Sequence, residues 1–229
     1  KRRIKEKMLK RCNHKRRWGR NDNIISKGVF NMKLTSKEAL EEIEKFRSKM
    51  KDTGWIDHSI CVGNTAGKIA ESLELNVDKA KALGYIHDIG KGVGEFCNHD
   101  INGYEYIKKL DYDEEYANIC LTHSYLNNDI NCTAGGFPEA IPFRIEFIKD
   151  HEYTIYEKII NLCDLMCKDV TLTLEKRLID LIVRKGVHEN TIYHIQEAQK
   201  LKKEIDEMLG FNVYRLFPDV LDNEIGYFL

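Results

Sequence analysis

The sequence predicts an all-α protein. Three observations carry that reading. Lys, Glu, Leu and Ile are abundant while only three prolines occur in 229 residues, at Pro138, Pro142 and Pro218. Helix-start signals recur and are followed by apolar residues three and four apart. No segment has the alternating pattern of a convincing strand, and no fixed-period repeat is visible.

The elements follow in order. Thr35-x-x-Glu38 is a capping box, in which side chains satisfy the N–H groups left open at a helix start. It predicts a helix to about Lys51, broken by Gly54. A second helix is expected over 55–74. Asn76 and Asp78 cap a third over 78–90, closed by Gly90 and Gly92. After a loop to Asn98, helices are expected over 100–110 and 113–125, the latter capped by Asp113. Residues 126–138 are turn-rich. Further helices are expected over 154–169, over 174–185 before Gly186, and over 189–209 before Gly210. The last carries Ile192, Ile195, Ala198, Leu201, Ile205 and Met208 as an apolar stripe that either dimerises or, as preferred here, closes the domain.

Composition sets the outer limits. With 42% hydrophobic and 32% charged residues, wholesale disorder is excluded. No apolar run approaches 18 residues, so no membrane helix is expected, and the basic N-terminus lacks the apolar core of a secretory signal. Seven cysteines, an odd number without C-x-x-C spacing, read as buried thiols in a reducing cytoplasm. Twelve of the 36 basic residues, but only two of the 37 acidic ones, lie in residues 1–31. This arm has little apolar periodicity and is expected to be unfolded alone. The string from Met32 reads as a natural start, so residues 1–31 are expected to be an extension rather than a nucleic-acid-binding arm.

The chemistry lies in polar residues on apolar helix faces. His58 is in line with Val62, Ala66 and Ile69. His87 follows Leu83 by four and precedes Asp88. His123 follows Ile119 and Cys120, and Asp164 follows Ile160. Neighbours three and four apart share a helix face, so each group is expected to be buried. A buried carboxylate requires a cation or strong donors. Imidazoles and carboxylates together suit a borderline transition metal. Lys91, three after Asp88 and four after His87, falls near the same side, where it can offset phosphate charge. Arg144 and Lys168 are weaker phosphate candidates. His14, His151, His188 and His194 are read as surface residues, Glu175-Lys176-Arg177 as an exposed turn, and Trp55 as packing the helix start.

The strings TGWIDHSICVGNTAGKIA, LGYIHDIGKG and IINLCDLM resemble the HD superfamily of metal-dependent phosphohydrolases, over roughly residues 55–170. The matching positions are His58, His87, Asp88 and Asp164. His99-x-x-x-Gly103 and His123 resemble the two-metal branch, and the nearest subfamily is the bacterial symmetrical diadenosine tetraphosphate hydrolase type. The cyclic-diguanylate-cleaving HD-GYP type is a more distant likeness, since its His-His-Glu and Gly-Tyr-Pro signatures are missing. The resemblance implies an HD-domain helical bundle over 32–170 with C-terminal helices, 171–229, packed on it. It implies two divalent transition-metal ions (Fe, Mn, Co, Ni or Zn), one held by His58, His87 and Asp164, the other by His99 and His123, with Asp88 bridging. Asp88 and Lys91 would be the catalytic pair. Such cations, roughly 3.5–4 Å apart, clamp a phosphoryl group and acidify a shared water, so that hydroxide attacks phosphorus in line. The expected activity is hydrolysis of a phosphoester or phosphoanhydride in a nucleotide-like small molecule. No nucleic acid or membrane partner is expected. The alternatives are a mononuclear HD 5′-nucleotidase built on His58, His87, Asp88 and Asp164, and a non-catalytic metal-binding HD regulatory module.

Overall fold

The computed structural model describes residues 32–94, 96–136 and 138–223. The basic arm, with Cys12 and His14, lies outside the described residues. Among the described residues the fold is all-α, and only two isolated bridges, Met32 with Tyr112 and Cys167 with Thr171, have β character.

Helix α1 (Ser36–Glu44) starts at the Thr35 capping box, with both reciprocal hydrogen bonds formed. It stops well before Lys51. Residues 43–49 tighten into three-residue turns, which bring Phe46 against the rings of Trp55 and Tyr106, each 6.0 Å away. Helix α2 (Gly54–Ser72) packs along α3 (Val77–Ile86). Their contact is a backbone crossing: a Cβ on Gly84 would lie 2.4 Å from the Cα of Gly63. Only glycine admits that approach.

The third helix was expected to continue to residue 90. It ends at Ile86, and His87 and Asp88 occupy a turn before the short helix α4 (Gly90–Val93). Helices α5 (His99–Lys108) and α6 (Glu114–Thr122) pack against each other. Asp113 takes the cap position of α6, but its side chain makes no cap hydrogen bond.

Helix α7 (Pro142–Asp150) was not anticipated. Its apolar side chains are spread around the helix, leaving Phe143 and Ile145 exposed, so no single stripe announces it. Helix α8 (Ile155–Asp164) begins at a second capping box, Thr154 with Glu157. It ends five residues early because residues 165–171 turn back through the Cys167–Thr171 bridge. Helices α9 (Leu174–Lys185) and α10 (Thr191–Leu209) stop at Gly186 and Gly210 as expected. Of the predicted stripe of α10, Ala198 and Ile205 are in the core and Ile195 and Leu201 pack against it, while Ile192 and Met208 are exposed; Thr191 and His194 join the buried face.

One apolar cluster runs from Leu34 to Val220. It includes Leu178 and Leu181 of α9 and Ala198 and Ile205 of α10, so these helices share the core of the preceding ones. Cys163 and Cys167 are fully buried in it. Cys61, Cys120, Cys132, Cys163 and Cys167 are thiols outside any disulfide. No helix among these residues is long and apolar enough to cross a membrane.

Candidate metal centre

Four segments converge on Asp88. His58 comes from the second turn of α2, and the His87-Asp88 doublet from the break between α3 and α4. His99 opens α5, His123 closes α6, and Asp164 is the last residue of α8. All six sequence-predicted metal-site residues therefore meet in one place.

Backbone carbonyls orient the imidazoles. His87 Nδ1 lies 2.7 Å from Gly84 O, and His123 Nδ1 lies 3.0 Å from Cys120 O and 3.2 Å from Ile119 O. His58 Nδ1 lies 3.2 Å from Lys168 O. A carbonyl only accepts, so each Nδ1 carries the proton; His87 Nε2 then presents a lone pair inward, while His58 Nε2 faces Asp164 Oδ1 at 2.9 Å.

The Asp88 carboxylate is divided between two groups of histidines. Its Oδ2 is 3.5 Å from His87 Nε2 and 3.8 Å from His58 Nε2. Its Oδ1 is 3.3 Å from His99 Nε2 and 3.4 Å from His123 Nε2. Asp164 Oδ1 lies on the first side, 2.9 Å from His58 Nε2 and 3.9 Å from His87 Nε2. The two Nε2 atoms of His99 and His123 are 3.2 Å apart.

These spacings fit ligands that share a cation. Two donors each about 2.1 Å from one ion lie about 3.0 Å apart at a right angle and about 3.4 Å apart at the tetrahedral angle. Buried His87 Nε2 and Asp88 Oδ1 have no hydrogen-bond partner among the described residues, which is costly for polar atoms unless a ligand occupies them. The triplets His58–His87–Asp88 and Asp88–His99–His123 each place one donor per residue within 4.8 Å of one another.

The electrostatics keep His87, His99, Asp88 and Asp164 in binding form. Burial lowers His87 to about 3 and His99 to about 4, so both imidazoles are neutral. Burial would lower His123 too, but the adjoining Asp88 carboxylate outweighs it and raises that pKa. Burial would raise Asp88, yet Lys91 and the surrounding histidines hold it well below the usual carboxylate range. Burial likewise opposes ionisation of Asp164, and His58 overcomes it. Lys91 forms an ion pair with Asp88 Oδ2.

The centre opens into a cavity of about 580 Å³. Lys168 lines it. Arg144 does not: it is 1% exposed and its Nη1 donates to Asp100 Oδ2 at 2.9 Å. Trp55 is buried against Phe46, consistent with packing, and also lines the cavity. Two readings as exposed groups are overturned. His194 is 4% exposed and lines the cavity; its spacing of four from Ala198 was the available signal. Arg177, at 6% exposure, is paired with Asp180, whose charge stabilises it in the wall. His151 is also no free surface residue, since its Nε2 lies 2.8 Å from Glu157 Oε1.

Residues 55–168, which hold this cluster of histidines and aspartates, match the HD domain family. Among curated proteins, the chain is 40% identical over 104 residues to a Ribonuclease Y of Fervidobacterium nodosum, covering 44% of this chain and 20% of the relative. It is 39% identical over 70 residues to Ribonuclease Y of Thermotoga maritima (30% and 14%), and 38% identical over 68 residues to that of Lawsonia intracellularis (29% and 13%). The chain thus spans a fifth or less of these relatives. They are Ribonuclease Y proteins, not the diadenosine tetraphosphate hydrolase type that the motif order resembled. No solved structure matches the chain.

Proposed function

We propose that the chain is a metal-dependent phosphohydrolase acting on a phosphoester or phosphoanhydride of a nucleotide-like substrate. The observation that supports this best is the division of one buried carboxylate, Asp88, between two pairs of histidine nitrogens. His58, His87 and Asp164 would hold one cation and His99 and His123 a second, with Asp88 shared. When bound, such ions supply Lewis acidity toward a phosphoryl oxygen and lower the pKa of water. The chain's own residues do the rest. The carbonyls of Gly84, Cys120 and Lys168 fix the imidazole tautomers. Lys91 brings a positive charge to the Asp88 side, where it can offset charge developing on the phosphoryl oxygens.

The likeness to Ribonuclease Y, a nuclease by name, extends the substrate class to phosphodiesters. The expectation that nucleic acid is not a partner is therefore not retained.

The test compares wild type with Asp88→Ala, by elemental analysis and by hydrolysis of bis(p-nitrophenyl) phosphate and nucleoside phosphates with added Mn²⁺ or Co²⁺. Near two ions per chain are expected for wild type. The variant should hold fewer than one and lose at least about a hundredfold in turnover, the upper end of what loss of an outer ligand partner costs. Full turnover by the folded variant would refute the reading. One ion with intact activity would favour the mononuclear alternative.

A further inference from the structure

We infer that the α9 wall of the cavity is a second anion subsite, in which Arg177, Arg184 and Lys185 receive a phosphate flanking the scissile one, so that the preferred substrate carries at least two phosphates. The inference rests on the proposed phosphohydrolase reading and names its substrate class.

Helix α9 lies C-terminal to the HD segment, yet it contributes three cations to the cavity that holds Asp88 and Asp164. Arg177, Arg184 and Lys185 are seven and eight residues apart, which places them along one helix face. They are organised rather than merely near. Asp180, fully buried, pairs with Arg177 Nη1 and accepts from Arg184 Nε at 3.0 Å and Nη2 at 2.8 Å. One carboxylate thus serves two guanidiniums, and Lys185 adds a further charge.

Helix ends account for Arg184 and Lys185, which lie in the last turn, but not for the whole set. Last-turn cations complement the helix dipole, but Arg177 is in the first turn, where a cation opposes it. Arg177 is also buried, and its Nε has no hydrogen-bond partner among the described residues. A buried charged donor left open is expensive; Arg177 lines the cavity, and a phosphate oxygen that draws its guanidinium outward would complete it. Positive charge is crowded here. Lys185 is exposed at the cavity, and its pKa is lowered by desolvation together with Lys91, Arg184 and Arg177, although Asp164 pulls the other way. His194, contributed to the cavity by α10, is held neutral by burial and does not relieve the crowding.

The experiment uses the full chain with Mn²⁺ present. Inorganic phosphate, inorganic pyrophosphate and a 5′-phosphorylated dinucleotide are titrated calorimetrically into wild type and into Arg184→Ala/Lys185→Ala. Both side chains are solvent-accessible, and a melt confirms folding. Lys200→Ala/Lys203→Ala, exposed and outside the cavity lining, controls for net charge. Wild type is expected to prefer a two-phosphate ligand over phosphate. The α9 variant should lose that preference by about tenfold or more, the worth of one charge-assisted hydrogen bond, while the control retains it. Tight pyrophosphate binding identifies an anhydride chain, and preference for the dinucleotide identifies diester spacing; either supports the subsite. An unchanged preference in the α9 variant, or equal weakening of all ligands, would overturn it. A wild type that shows the preference but hydrolyses no phosphoester would sink the proposed function and leave the subsite standing.

Discussion

Asp100 illustrates how a single buried residue can serve the candidate metal centre without touching it. It follows His99 directly, is 2% exposed, accepts Tyr125 Oη–H at 2.8 Å and pairs with Arg144. The pair fixes the start of α5, and with it His99. Removing one partner of a buried ion pair strands the other charge, at a cost of roughly 3–5 kcal/mol. Arg144→Ala is therefore expected to lower stability by about that amount and to reduce bound metal on the His99–His123 side. Denaturant unfolding and elemental analysis check both. A loss under about 1 kcal/mol would show that Asp100 does not depend on Arg144. From sequence, Arg144 was a cation available to substrate, because nothing local shows that a residue 44 positions away buries a carboxylate against it.

Among the elements, the junction of α4 and α5 imposes the tightest condition. A Cβ on Gly90 would lie 1.8 Å from His99 O and 2.5 Å from Gly103 N. Neither backbone can yield without parting the two helices, so Gly90→Ala should cost about 1–3 kcal/mol or more, as overpacking does. The expected result is a melting temperature lower by at least about 5 °C and loss of one ion per chain as His99 moves. An unaltered melt with full metal content would show that the helices can separate freely. The same junction marks the limit of what was legible. The capping boxes at Thr35 and the glycine stops at Gly186 and Gly210 are local and were read correctly. His58, His87, Asp88, His123 and Asp164 were legible because each stands on an apolar face. His99 opens a helix with no such stripe beneath it, and only the likeness to a family motif identified it. The break at Ile86 was hidden because the close approach of α5 to Gly90 beside it leaves no mark on the local apolar pattern. Helix α7 was missed for want of a single apolar face, and the cationic face of α9 because its partner Asp180 makes Arg177 resemble an ordinary surface charge.

At the scale of the whole molecule, burying several imidazoles makes stability depend on pH in a defined direction. His87, His99 and His194 are lowered to about 3, about 4 and about 4, each first by burial. An unfolded histidine titrates near 6.5. Between that value and about 4 the unfolded chain binds protons that the folded chain does not, so stability falls as pH drops through this window. His123 is raised and opposes the trend, its contribution being lost as pH rises through its folded pKa. Asp88 and Asp164 are lowered, so their contributions are complete above an unfolded pKa of about 3.9 and are lost below it, outside the window. His194 isolates the effect, since it lines the cavity but is not among the six predicted metal-site residues. A shift from about 6.5 to about 4 corresponds to at most about 3 kcal/mol. Chelator-treated wild type is therefore expected to lose stability between pH 7 and pH 4.5, and His194→Gln to lose about 2 kcal/mol less over the same interval. Parallel curves from denaturant unfolding of the two proteins would show that the His194 ring takes up its proton as readily folded as unfolded.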